Sequence, residues 1–142
     1  MSRIPFLMIL FLLPTFAAAQ DDPKFLELGG DLYGGGSSVV VATDEANDVF
    51  LGAQETTLAV PITGSAHLVG QTVTLSQSVA GNVYAAGQTV TVSGDVAGSA
   101  TLAGQTVSVG DVGRNLRAFG QTLSLNGDLG GAALIAAQTV TI

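Results

Sequence analysis

A six-residue segment recurs along this chain at a nearly constant spacing. It reads GQTVTL from residue 70 and returns as GQTVTV, GQTVSV, GQTLSL and AQTVTI from residues 87, 104, 120 and 137. The steps are 17, 17, 16 and 17 residues, and the same register extends backwards to AQETTL from residue 53 and GSSVVV from residue 36. A period of this length is typical of repeat architectures, in which each unit stacks only on its neighbours.

Apolar and polar residues alternate within each repeat, which indicates short strands with every second side chain facing a core. Aligning the repeats gives three inward columns. The first holds Val39, Thr56, Val73, Val90, Val107, Leu123 and Val140. The second holds Val41, Leu58, Leu75, Val92, Val109, Leu125 and Ile142. The third holds Ile62, Val79, Val96, Val112 and Leu129, with Glu45 as an exception in the first rung.

Two further inward columns combine a small residue with a large one in the same rung. The pairs are Ala66 with Leu68, Val83 with Ala85, Ala100 with Leu102, Leu116 with Ala118, and Ala133 with Ile135. The large member changes place between rungs while the summed volume stays similar, as a closely packed interior requires. This pattern predicts an enclosed core rather than an open sheet.

Glycine recurs at the corners of the repeat. One column holds Gly64, Gly81, Gly98 and Gly131, with Asn47 and Arg114 in other rungs. Glycine at such a position indicates either a positive φ or a close approach of the backbone. A positive φ would strain Arg114, which lies in the one rung that is a residue short.

The composition agrees with an all-β fold. Of the 142 residues, 19 are glycine, 47% are hydrophobic and only 11% are charged, which is too apolar for disorder and too rich in glycine for a helical bundle. We predict a single-stranded β-helix, or β-solenoid, over residues 28–142, with six to seven rungs of about 17 residues.

The N-terminus has the order of a secretory signal peptide: Arg3, an apolar stretch, and then Ala17, Ala18 and Ala19. We predict a signal peptide over residues 1–19, cleavage before Gln20, and a short acidic leader or N-terminal cap over residues 20–27. The protein is then exported to the periplasm or cell envelope, and its mature chain has no integral membrane span.

The segment VTVSGDVAG at residues 90–98, followed by LAGQTV at residues 102–107, resembles the repeat of the bactofilins. Bactofilins are a bacterial family of polymer-forming cytoskeletal proteins. The resemblance implies a right-handed, roughly triangular β-helix that assembles end to end without nucleotide. The chain departs from the family in its signal peptide and in ending within a repeat, which leaves open that it is part of a longer protein.

The sequence offers little for catalysis. His67 is the only histidine and cysteine is absent, which disfavours a catalytic triad and a thiolate metal site. Asp95, Asp111 and Asp128 align beside a corner, but the glycine-rich nonapeptide of calcium-binding β-rolls is missing, so we interpret them as solvated turn residues. A net charge of −7 disfavours nucleic acid. We predict no enzyme and no catalytic, metal or cofactor site.

Two surfaces are candidates for interaction. Tyr33, Phe50, His67 and Tyr84 share one outward column, which forms either a stacking platform for glycan or a protein, or a ladder that stabilises the sheet. Residues Val140, Thr141 and Ile142 form a strand edge without a charge or proline to protect it, and such edges pair with other chains.

These surfaces lead to three hypotheses about function. The first is a self-assembling structural scaffold of the cell envelope, an end-to-end homopolymer. The second is a periplasmic rod that binds peptidoglycan or an envelope protein through the aromatic column. The third is a secreted functional amyloid of the curli type, which is also an exported β-solenoid.

Overall fold

The computed structural model describes residues 22–43 and 45–142, so the expected signal peptide lies outside the described residues. The described chain forms eleven strands: β1 Lys24–Leu28, β2 Asp31–Val41, β3 Val49–Leu58, β4 Ala66–Val69, β5 Thr72–Leu75, β6 Val83–Ala86, β7 Thr89–Val92, β8 Ala100–Val109, β9 Leu116–Leu125, β10 Ala133–Ala136 and β11 Thr139–Thr141. No helix able to cross a bilayer is found in the described part of the chain.

The strands wind into a β-solenoid of about six turns, as predicted. From β2 onwards every strand pairs in parallel with its equivalent in a neighbouring rung, for example β5 with β7 and β8 with β9. Thr56 pairs with Val73 and Val73 with Val90, which are steps of 17 residues. Isolated parallel bridges, such as the one between Val79 and Val96, form the third side of the coil.

The predicted columns line one continuous core. Val73, Val90, Val107 and Leu123 are each 0% exposed, and the alternating small and large pairs are buried in the rungs that have neighbours on both sides. Thr56 is the one polar residue of the core among the described residues, and its hydroxyl donates a hydrogen bond to the Val69 carbonyl at 3.0 Å. The buried hydroxyl is therefore paired, as burial of a polar group requires.

The third column differs from prediction in the first rung. Glu45, which is aligned with Ile62, is exposed, while Ala46 is buried and takes the inward place. The Thr63 amide accordingly donates to the carbonyl of Ala46, at 3.3 Å. The chain shifts locally by one residue because an unpaired carboxylate in an apolar interior is strongly destabilising.

The corner glycines are required by close approach, and not by a positive φ. A Cβ on Gly81 would lie 2.6 Å from the Gly64 carbonyl oxygen in the rung below. None of the described residues other than glycine has a positive φ, so the strain expected at Arg114 is absent. The one-residue deletion in that rung is absorbed at the turn, and the flanking strands β8 and β9 keep their register.

A different column stabilises the corner by side-chain hydrogen bonds. The Asp48 carboxylate accepts from the Ser65 backbone N–H at 2.7 Å, and the Ser65 hydroxyl accepts from the Asn82 backbone N–H at 3.0 Å. The Asn82 side-chain oxygen Oδ1 in turn accepts from the Ser99 backbone N–H at 2.9 Å. Ser99 and Asn115 continue the series to the Ala132 amide. Each rung therefore satisfies a backbone N–H of the next, and we name this series the corner ladder.

We expect Asn82→Ala to lower the free energy of unfolding by about 1–3 kcal/mol, because the Ser99 amide then loses its acceptor. Asn82→Ser is the matched control, since serine already does this at position 65, and it should recover most of the loss. Chemical denaturation monitored by circular dichroism measures both. Equal losses for alanine and serine would show that the hydrogen bond contributes nothing.

The N-terminal end of the solenoid carries an antiparallel hairpin. Gly29 and Gly30 form its two-residue loop with φ of 64° and 87°, the two positive values that a type I′ turn needs. The hairpin places β1 along the first half of β2, with Lys24 opposite Gly35 and Leu28 opposite Asp31. The edge of β2 is thus covered over this half.

Candidate interaction surfaces

The outward residues of one side of the solenoid form two adjacent columns, which together we call the aromatic face. The ridge column holds Tyr33, Phe50, His67, Tyr84, Thr101, Arg117 and Leu134. The groove column, two residues further along each strand, holds Gly35, Gly52, Val69, Ala86, Ala103, Phe119 and Ala136. Alternation along the strands turns both columns away from the core.

The four rings of the ridge column stack on one another. The centroids of Tyr33 and Phe50 are 4.9 Å apart, those of Phe50 and His67 4.5 Å, and those of His67 and Tyr84 4.9 Å. The interplanar angles are 5°, 6° and 10°. The separations match the rung spacing of about 4.8 Å, so the parallel strands set the stacking.

This stacking limits what the rings offer to a ligand. Phe50 and His67 each have a ring on both faces, so only their edges point to solvent. A sugar that binds an aromatic residue lies against the face of the ring, and here the outer faces of Tyr33 and Tyr84 alone have no ring on them. The geometry favours the ladder as a stabilising element, and the glycan-binding hypothesis stays a prediction.

The aromatic face is nevertheless the apolar side of the rod. Its exposed large residues are Tyr33, Val69, Tyr84, Phe119 and Leu134. Leu26 of β1 lies opposite Tyr33 in the hairpin and extends the ridge column by one strand. Sequence reasoning found the four rings but missed Val69 and Phe119, although both occupy a column that the 17-residue register defines.

The two other sides are polar. Outward positions on the second side carry hydroxyl groups, at Thr57, Thr74, Thr91, Ser108, Ser124 and Thr141, and the first rung has the exposed Val40 in this column. The third side carries Asp95, Asp111 and Asp128 around a shallow depression of about 640 Å³. The Asp111 carboxylate accepts from the Asp128 amide at 2.7 Å, which fits a turn residue. In residues 22–43 and 45–142, no three His, Asp or Glu side chains are placed to hold a metal ion.

The C-terminal rung exposes the cross-section of the core. Strand β11 pairs with β9 on one side, and no described strand pairs with its other edge. Val140 is 42% exposed and Ile142 87%, whereas Val39 and Val41, their equivalents in the first rung, are 0% and 1% exposed. Val140, Thr141 and Ile142 thus present an apolar strand edge, and the two ends of the solenoid differ.

Comparison with known proteins adds no relative: no protein-family model, no curated protein and no solved structure matches this chain.

Proposed function

We propose that this protein is a self-assembling structural scaffold of the cell envelope, similar to the bactofilins. The observation that carries the proposal is the parallel pairing that joins each rung to the next through equivalent strands, because an end rung offers the same main-chain groups to a rung of another copy. Among the described strands, β11 has such an edge without a partner. Native proteins normally guard such edges with charge, proline or a covering segment, and an unguarded edge pairs with another chain. The predicted signal peptide supports a location in the envelope.

End-to-end growth follows from the difference between the two ends. A C-terminal rung that stacks on the N-terminal end of another copy takes the place of β1 on the first half of β2, because β10 lies in the same rung as β11. Over the second half it meets residues 38–41, which pair only with β3 in the described structure. Val39 and Val41 are already buried there, so the contact is between strand edges. Strand β11 lies in register with that second half. The register runs from Ser38 through Glu55 and its equivalent in each later rung to Thr139. Contact between two different ends does not close, so the product is a filament.

Placing a lysine in the predicted junction tests this contact. Val140→Lys puts an ammonium group into the inward column, where a docking rung would bury it without a partner, and we expect filaments to be lost. Thr141→Lys is the matched control, because it adds the same charge to the same strand on the outward side, and filaments should persist. Electron microscopy of both variants measures the difference.

Thermal unfolding of both lysine variants is the control that they are folded. If Val140→Lys assembles as well as Thr141→Lys, the C-terminal edge is not the contact, and the end-to-end proposal is wrong.

A further inference from the structure

The aromatic face is left uncovered although it is the most apolar surface of the rod. Its five exposed large residues, Tyr33, Val69, Tyr84, Phe119 and Leu134, have between 38% and 59% of their surface in contact with solvent. The second side carries mainly hydroxyl groups, and the third side combines serine or aspartate with alanine or glycine, so neither has a row of large exposed apolar side chains. A contiguous apolar strip on an otherwise polar molecule marks an interaction surface.

The two columns of this face have complementary shapes. In the first, second and fourth rungs an aromatic ring stands beside a residue with little or no side chain, as with Phe50 beside Gly52 and Tyr84 beside Ala86. A Cβ on Gly52 would meet nothing within 4 Å, so the groove is open there. Further along, a depression of about 270 Å³ is lined by Ala86 and Ala103. The face is therefore a ridge with a groove alongside it.

We propose that the aromatic face binds the same face of a second copy, with the two rods parallel about a two-fold axis along their length. Such an axis exchanges the two columns, so that the ridge of each copy lies in the groove of the other. Phe50 then packs over Gly52 of the second copy, and Tyr84 over its Ala86. In the sixth rung Arg117 lies over Phe119 of the second copy, a cation–π arrangement.

The antiparallel alternative fits less well. A two-fold axis across the rods leaves each column opposite itself, so Tyr84 meets Tyr84 of the second copy while Ala86 faces Ala86. The rings then hold the sheets apart and leave a void over the groove. Close packing at an interface disfavours such a void.

The size of the face determines how tightly it binds. Four residues across and seven rungs along give a face of roughly 450 Å² per copy, below the roughly 800 Å² per partner of a standard stable interface. Single rods therefore pair weakly. Rods joined end to end pair more strongly, because each added copy contributes a face at high effective concentration.

Cross-linking through engineered cysteines tests the pairing, because the chain contains no cysteine of its own. Ala103→Cys is a small change at an exposed groove position. Packed sheets lie about 10 Å apart, so a bis-maleimide of that reach should join two copies through this residue. Thr91→Cys, on the hydroxyl side, should yield no dimer under the same conditions.

A charge placed in the groove should abolish the cross-link. Adding Ala86→Glu to the Ala103→Cys chain buries a carboxylate under Tyr84 of the second copy, and the dimer yield should fall at least about tenfold. Adding Thr91→Glu places the same charge in the same rung on the hydroxyl side, and the yield should not change. Absence of the Ala103→Cys dimer, or equal yields with the two glutamates, overturns the proposal.

Mixed cross-linking reads the direction of the rods. One chain carries Gly52→Cys, and a second chain of different size carries Phe119→Cys. In a parallel pair the two cysteines lie four rungs, or about 19 Å, apart and should not cross-link to each other. They come together in the antiparallel pair, so a mixed dimer overturns the parallel arrangement. The readout does not depend on end-to-end contacts, so this proposal and the filament proposal fail separately.

Discussion

Leu102→Ala is expected to lower the free energy of unfolding by about 2–5 kcal/mol. Leu102 is 0% exposed and lies in the layer that it shares with Ala100, so truncation leaves a cavity in a core that has rungs on both sides. Ala100→Leu alone should cost about 1–3 kcal/mol through overpacking. Urea denaturation of the two single variants and of the double variant measures these changes.

The double variant Ala100→Leu, Leu102→Ala separates layer packing from column packing. It restores the volume of the layer and reproduces the order found in the next rung, where Leu116 precedes Ala118. We expect it to be clearly more stable than the sum of the two single changes implies. Additive losses would mean that contacts along each column, between Leu102 and the rungs above and below it, decide stability instead.

Gly81→Ala is expected to destabilise the solenoid by about 1–3 kcal/mol or more. The new Cβ would lie 2.6 Å from both the Gly64 carbonyl oxygen and the Ser65 hydroxyl. The carbonyl accepts a 2.8 Å hydrogen bond from the Gly81 amide itself, so the rungs cannot separate there without weakening their pairing. Thermal unfolding followed by circular dichroism measures the loss.

Gly52→Ala is the matched control for this prediction. Gly52 lies in β3 with open space at its Cβ and no positive φ, so alanine should be neutral or stabilise the protein by up to about 1 kcal/mol through the unfolded chain. A Gly81→Ala variant as stable as Gly52→Ala would contradict the close approach at the corner.

The sequence predicts the coil and its core because two periodicities reinforce each other. A step of 17 residues and a strand period of two assign Val73, Val90 and Val107 to one buried column, and a slip of one residue would turn that column to solvent. The same register places the four rings of the ridge column in line. Their stacking then follows from the rung spacing.

Other features are not visible in the sequence because they depend on local geometry. A recurring glycine looks the same in the sequence whether it is needed for a positive φ or for a close approach of two backbones. The backbone geometry is needed to show that Gly81 is required by close approach and that Arg114 is unstrained. The corner ladder uses a different residue in each of three successive rungs, Asp48, Ser65 and Asn82. These residues have in common only a short side chain with a hydrogen-bond acceptor, so no single residue type marks the column. The one-residue shift that buries Ala46 in place of Glu45 breaks the register where the repeat is weakest.

Negative-stain electron microscopy of residues 20–142, the expected mature chain, tests the scaffold proposal most directly. Seven rungs make a rod about 3 nm long. End-to-end assembly near physiological salt predicts filaments many times that length and of uniform width, with the 4.8 Å strand spacing along the filament axis in electron diffraction. Dispersed rods of single or double length would contradict the proposal, because a contact that closes after two copies cannot build a scaffold.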